Sequence, residues 1–327
     1  MKVIIIGGTG HIGTYLVPRL IKAGHTVVCV SRQQAEPYVN DETWTSVEYV
    51  TIDRTKAEEN GDFSSRILAL KGDVVIDLIC FTTESARNLA EALNGKIQHF
   101  LHCGSMWVHG YSEQIPTTEN QKRNPFGEYG IDKAKIEAYL LAFHKESGFP
   151  VTILHPGHIT GPGWLPINPA GHLDPEIFIR LAKGEEIVLP NFGMETVHHV
   201  HADDVAQAFI KAIENKKNSI GESFHVVSEQ ALTLRGFAEG VASVFGREAK
   251  LKFLPWEEWG KVNNPRNKEL TWDHIAHSPC GSIAKAKQLL NYQPKYSSLE
   301  AVQEAIEHYF DKLGIQVGPN QEGKYSS

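Results

Sequence analysis

The chain opens on an apolar run, Val3-Ile4-Ile5-Ile6, that passes directly into Gly7-Gly8-Thr9-Gly10-His11-Ile12-Gly13 and then into a stretch with helical spacing over 15–23. A buried strand, a glycine turn and a helix, in that order, constrain the fold more than any other feature of the sequence. Glycines at 7 and 10 allow a tight turn and close backbone approach to a pyrophosphate, and Gly13 lets the helix pack close to the sheet. The free amides at the helix N-terminus then face the phosphates. The motif reads as a dinucleotide site, with Gly7, Thr9, Gly10, His11, Ile12 and Gly13 around the cofactor.

Short β-branched runs recur at 3–6, 27–30, 47–52, 74–79, 97–103 and 151–154, separated by stretches of helical period such as 85–93 and 131–144. That alternation predicts an α/β fold, a Rossmann-like doubly wound parallel sheet with helices on both faces. After Pro156 seven glycines and prolines fall within fifteen residues, breaking both periods and marking the start of a smaller C-terminal substrate lobe. The expected organisation is a dinucleotide-binding domain over 1–165, rejoined by about 196–227, a substrate-binding lobe made of 166–195 and 228–314, and a flexible polar tail over 315–327.

Thirty-nine acidic against 32 basic residues give a formal charge of -7, so the chain as a whole lacks a cationic footprint for a phosphate backbone. Nucleic acid is a poor default partner. Four scattered cysteines make neither a disulfide framework nor a paired zinc motif, which fits a reducing, cytoplasmic setting. The opening apolar run is a core strand rather than a cleavable signal, and no window reaches the apolar length of a membrane span.

Tyr129 and Lys133 lie four residues apart at the start of an apolar-periodic helix, which puts both on one face. An ammonium beside a phenol stabilises the phenolate and lowers a pKa of about 10 toward the working pH, as a hydroxyl-to-carbonyl proton transfer requires. Ser105 sits where a parallel strand runs out at its carboxyl end, the place where open sheets of this kind bind ligands. Its hydroxyl either holds a substrate oxygen or caps a turn.

Taken together, Gly7 to Gly13, Ser105-Met-Trp-Val-His-Gly110, Tyr129 with Lys133, His155-Pro156-Gly157 followed by Gly161-Pro162-Gly163, and His201-Ala-Asp-Asp204 are similar to the extended short-chain dehydrogenase/reductase superfamily, the group labelled NAD-dependent epimerase/dehydratase. The resemblance covers about residues 1–310. It implies Tyr129 as acid/base, Lys133 as the residue that lowers its pKa and holds the nicotinamide ribose, Ser105 as the group that orients the reacting oxygen, and a homodimer built through helices of the cofactor lobe. Pro156 and His158 fall beside the implied cofactor site, His158 being either a second proton donor or a surface histidine.

Departures from the family pattern narrow the substrate. Met106 and Trp107 stand where nucleotide-sugar dehydratases of the family place an Asp-Glu pair, and His109 replaces a common tyrosine. Glu195 and Val197 occupy the stretch where nucleotide-sugar epimerases supply an arginine for a diphosphate, and an unpaired anion in a closed site is costly. Trp107, His109, Trp164 and His199 are therefore the substrate-side candidates, with Trp256, Trp259 and Trp272 as further rings for either core or pocket. At the end of the second strand no acidic residue is present to accept ribose hydroxyls. Ser31 and Arg32 suit a 2'-phosphate instead, so NADP is expected, with NAD as the alternative. Asp53, after the third strand, either contacts adenine or caps a helix. His198, His199 and His201 do not form a metal set, since only 199 and 201 share a strand face.

Two functions follow. The first is an NAD(P)-dependent oxidoreductase or epimerase acting on a secondary alcohol or ketone of a sugar-like or small polyol substrate. The second is a non-catalytic dinucleotide-binding regulatory or RNA-associated protein, against which the complete Ser105, Tyr129 and Lys133 set and the net charge both argue.

Overall fold

The computed structural model describes residues 1–33 and 35–316. The chain folds into two compact units. The first comprises Met1–Gly157, Ala202–Val227 and Gly281–Lys295, and the second comprises His158–His201, Ser228–Cys280 and the described residues from Tyr296 to Gln316.

A seven-stranded, wholly parallel sheet organises the first unit. Its strands are β1 (Lys2–Ile6), β2 (Thr26–Ser31), β3 (Glu48–Thr51), β4 (Val74–Asp77), β5 (His99–Cys103), β6 (Val151–Pro156) and a last strand, Glu222–Val226. Their spatial order is β3, β2, β1, β4, β5, β6 and then Glu222–Val226. The order reverses between β1 and β4, which opens the ligand crevice of a doubly wound sheet at their carboxyl ends. Near-continuous apolarity in β1, β2 and β4 follows from cover on both faces. The unit's helices include α1 (His11–Lys22), α2 (Arg54–Glu59), α3 (Phe63–Ala69), α4 (Thr83–Leu93) and α5 (Gly127–Ser147). The helix Ala202–Glu214 packs along α1, and Arg19 clasps Asp203 through two bonds of 2.6 and 2.7 Å.

The glycine turn behaves as its sequence dictates. Gly7 has φ +85°, and a Cβ at Gly13 would lie 1.9 Å from the Gly8 carbonyl oxygen, so only glycine permits this helix-to-turn approach.

The second unit has its own core, built on Phe178, Leu181, Ile187, Phe237 and Trp259. Its short strands pair as His158–Thr160 with His199–His201, Thr196–Val197 with Leu232–Thr233, and Glu186–Pro190 with Lys250–Leu254. No helix among the described residues is long and apolar enough to cross a membrane.

The observed units differ from the expected boundaries in three places. The first unit ends at Gly157 rather than 165, because His158–Thr160 leaves the line of β6 to pair with His199–His201. The return comes at Ala202 rather than about 196. A segment assigned to the second lobe, Gly281–Lys295, belongs to the first: its helix Ala284–Leu290 packs on the strand Glu222–Val226, and the buried Tyr292 hydroxyl donates to the Val227 carbonyl at 3.1 Å. Of the expected tail, Ile315 packs against the second unit's core and donates its amide to the Phe310 carbonyl, while 317–327 lie outside the described residues.

Candidate active site

The first unit brings Ser105, Tyr129 and Lys133 together. β5 ends at Cys103, and Ser105 follows it as the cap of a short 3-10 turn, Met106–His109, where its Oγ accepts the Trp107 amide at 3.2 Å. The same side chain lies close enough to the Tyr129 hydroxyl to pull its pKa down. Of the two sequence readings of Ser105, the turn cap is the one seen. Tyr129 enters from the first turn of α5, with Trp107 edge-on at 5.7 Å.

Lys133, one turn on, is 2% exposed and donates from Nζ to the carbonyls of Cys80 and Cys103, both at 2.8 Å. Burial lowers its pKa, and the neighbouring Cys103 and Cys80 thiols oppose that shift. Tyr129 departs from expectation. Burial, with a smaller contribution from Cys103, pushes the phenol up to about 12, against a downward pull from Ser105. The residue as a whole is 43% exposed. The lowering expected from Lys133 is not seen, since its ammonium is directed at two backbone carbonyls and stands 5.7 Å from the phenol ring centre.

Behind Ser105 lies a buried polar chain. The Ser105 amide donates to His155 Nδ1 at 3.0 Å, and His155 Nε2 meets Glu137 Oε1 at 2.9 Å. With Nδ1 accepting, His155 is the neutral tautomer that donates from Nε2. Arg123 closes a two-pronged pair on Glu137 at 2.8 Å through Nε and Nη2. Burial raises the Glu137 pKa, but His155 and Arg123 outweigh it and hold the carboxylate well below its usual range. Glu137 is one helical turn beyond Lys133, so the chain ties α5 to the ends of β5 and β6.

A cavity of about 660 Å³ lies at the glycine turn, and its walls include Gly7, Thr9, Gly10, Ser31, Arg32 and Phe81. His11, Ile12 and Gly13 are buried in the first turn of α1, where His11 packs edge-on to Tyr15 and Tyr38. The Ser31 hydroxyl donates to the Gln33 carbonyl at 2.8 Å, and Arg32 is exposed on the cavity wall. Asp53 takes the capping option: its Oδ1 accepts the Lys56 amide at 3.3 Å at the start of α2. The neighbouring Arg54 forms a buried pair with Asp77 at 2.8 Å and binds Glu58 at 2.8 Å, and it also lines the cavity. The cradle fits a dinucleotide: the tight Gly7 turn and the Gly13 approach leave the amides of a twelve-residue helix facing the cavity.

Other candidates fall elsewhere. His109 is buried, with Nε2 2.8 Å from His225 Nε2, and burial pushes its pKa down to about 3; it packs into the unit's interior rather than toward an open substrate face. Trp107 lies on Tyr129, and Pro156 ends β6 fully inside the unit. In the second unit, His199 is a core residue, bonded to the Ile167 carbonyl at 3.1 Å and packed on Phe237. His158 donates its amide to the His198 carbonyl at 2.8 Å and lies among the rings of His199 and His274, so the surface-histidine reading is corrected. His198 binds the Ser228 carbonyl and His201 pairs with Glu304, which gives the three neighbouring histidines three separate partners. Val197 is in the core, Trp259 is buried, and Trp164 and Trp272 are about half exposed.

Sequence reasoning missed Phe81, Arg54 with Asp77, and the Arg123, Glu137 and His155 chain. Glu137 carried one available signal, its four-residue step from Lys133 on the face already marked by Tyr129. The other residues are joined only by the tertiary fold.

A parallel sheet with a dinucleotide cradle at its switch point, and a Ser-Tyr-Lys set at the end of β5, define a nicotinamide-dependent enzyme of the extended short-chain dehydrogenase/reductase type. The chain belongs to the NAD-dependent epimerase/dehydratase family, whose model matches residues 3–226. It is 28% identical over 321 residues to the chloroplast stem-loop binding protein of 41 kDa b from Arabidopsis thaliana, covering 92% of this chain and 77% of that protein. It is 26% identical over 265 residues to 2'-dehydrokanamycin reductase from Streptomyces kanamyceticus, covering 79% of this chain and 70% of the other. UDP-glucuronic acid 4-epimerase from Bacillus cereus, solved with UDP-glucuronic acid and NAD, shares the fold with TM-score 0.71 at 20% identity, over 96% of this chain and all of that one.

Proposed function

We propose that the protein interconverts a secondary alcohol and its ketone on a sugar-like or small polyol substrate that lacks a nucleoside diphosphate, using NADP(H) in preference to NAD(H). The observation that carries the chemistry is the Ser105 side chain set close enough to Tyr129 to favour its phenolate, beside a Lys133 fixed by two carbonyls. A substrate oxygen bound beside both hydroxyls meets an orienting group and a proton-transferring one. Ser105 orients that oxygen and Tyr129 gives or takes its proton. A bound nicotinamide supplies the hydride acceptor or donor. Lys133 stands 5.7 Å from the centre of the phenol ring, and Trp107 packs edge-on against it.

Support for a non-nucleotide substrate is local: Glu195 accepts from Asn191 at 2.6 Å and Val197 is sealed in the core, so neither presents a cation. The similarity to 2'-dehydrokanamycin reductase is in keeping with a glycoside, and the fold shared with a UDP-sugar epimerase is the contrary consideration. Arg180, Lys183 or Arg266 is the alternative source of a cation for a diphosphate. Support for NADP rests on Arg32 at the cavity wall and on the absence of a carboxylate in the Ser31-Arg32 step after β2.

Titrating both cofactors by calorimetry tests the preference. NADP(H) should bind at least as tightly as NAD(H), and a tenfold preference for NAD, about 1.4 kcal/mol, contradicts the role given to Arg32. A panel of keto sugars, polyols and glycosides, run beside UDP- and GDP-sugars, tests the substrate class: tight binding of a nucleoside diphosphate outside the cofactor cavity refutes it. A second reading, RNA association, is favoured by the similarity to the stem-loop binding protein. Gel-shift with a stem-loop RNA separates the two, because tight RNA binding with no cofactor-dependent turnover on the panel supports the second.

A further inference from the structure

The cavity at the glycine turn is lined by Ser31 and Arg32, at the end of β2, by Arg54 and Glu58 of α2, and by Phe81 and Thr82, beyond β4. A dinucleotide with its pyrophosphate on the glycine turn sends its adenosine half toward the end of β2, where the ribose is read. The other half is then directed toward Lys133, whose Nζ stands 4.9 Å from the Phe81 ring centre.

Phe81 is unusual for its position. It is 54% exposed, although a phenylalanine gains by burial, and its open surface lies on a cavity wall. Its other surroundings are fixed: Lys133 Nζ stands 4.9 Å from the ring centre, and that ammonium is held by the Cys80 and Cys103 carbonyls. The ring is thus steadied from the protein side and presents a π surface to the ligand side. Such a surface attracts a flat cation more than a flat neutral ring.

We propose that Phe81 stacks on the nicotinamide ring of the bound dinucleotide and favours its oxidised, positively charged form over the reduced one. This rests on the dinucleotide reading above. Phe81 is then the residue that biases the redox state in which the cofactor is held, a role separate from proton transfer at Tyr129. The Lys133 charge acts on both redox forms in parent and variant alike, so a comparison of variants isolates the ring.

The test is calorimetric titration of the full chain, parent, Phe81→Leu and Phe81→Ala, with NADP⁺, NADPH and ADP. Phe81→Leu keeps apolar cover but removes the π surface. It should raise the Kd for NADP⁺ about fivefold while that for NADPH changes by less than about twofold. Phe81→Ala also removes the cover and should weaken both redox forms, while ADP, which lacks the nicotinamide half, binds all three proteins alike. Because Phe81 is exposed, both variants should melt with the parent. Equal loss for NADP⁺ and NADPH in Phe81→Leu, NADP⁺ affinity unchanged in Phe81→Ala, or an equal loss for ADP each overturns the proposal. A parent that binds no dinucleotide overturns the cofactor reading along with it, and that failure appears before any variant is made.

Discussion

At the scale of single residues, Lys133 has the most to hold together. A buried ammonium is tolerated because two carbonyls, one beyond β4 and one at the end of β5, accept two of its three N–H bonds. Lys133→Met leaves both carbonyls without that donor. The expected result is weaker cofactor binding by calorimetry and slower turnover together, and a variant with both intact contradicts the placement of Lys133. Tyr129 shows how far local spacing carries. The four-residue step correctly put it on the face of Lys133, but its raised pKa depends on shielding and on the direction of the Lys133 bonds, and neither is encoded in spacing. The same limit applies to His109 and His199, whose residue type suggested substrate contact and whose burial gives them interior partners instead.

Among the elements, α5 is fastened to the sheet by the Arg123, Glu137 and His155 chain. Glu137 is almost wholly buried, and removing one partner of such a pair costs about 3–5 kcal/mol because the remaining charge is left uncompensated. Arg123→Met should therefore lower stability in a urea melt by about that amount. Arg123→Met with Glu137→Leu should recover much of it, and a double variant less stable than the single contradicts this account of the chain. The elements were largely legible from sequence. β1, β2, β4 and the glycine turn announce themselves by apolar runs and punctuation, and the helix expected over 131–144 is the middle of α5. The segment Gly281–Lys295 was not legible, since a seven-residue helix and one buried tyrosine give too short a period to show which unit they join.

The whole molecule carries 16 histidines, many of them buried and neutral. Burial pushes His99, His109 and His199 down to about 3, and His172, His198 and His277 down to about 4, against an ordinary value of 6.5. The unfolded chain therefore binds more protons than the folded one below about 6.5. The stability these groups contribute is complete above that pH and is lost as the pH falls from 6.5 toward 3 to 4, each group steepening the loss by at most about 1.4 kcal/mol per pH unit. The Tm should be highest above about pH 7 and drop steeply between about pH 6.5 and 4. A flat Tm across that window contradicts the neutral interior assigned to these residues.

The central claim is that Tyr129 moves the substrate proton in a nicotinamide-dependent reaction. Tyr129→Phe keeps the ring against Trp107 and removes only the hydroxyl that meets Ser105. The most direct measurement is turnover by this variant beside the parent on whichever member of the substrate panel the parent converts, with cofactor affinity measured in the same preparations. The account predicts nearly complete loss of turnover with cofactor binding close to that of the parent. A variant that keeps more than about a tenth of the parent rate contradicts it and assigns the proton transfer to another residue.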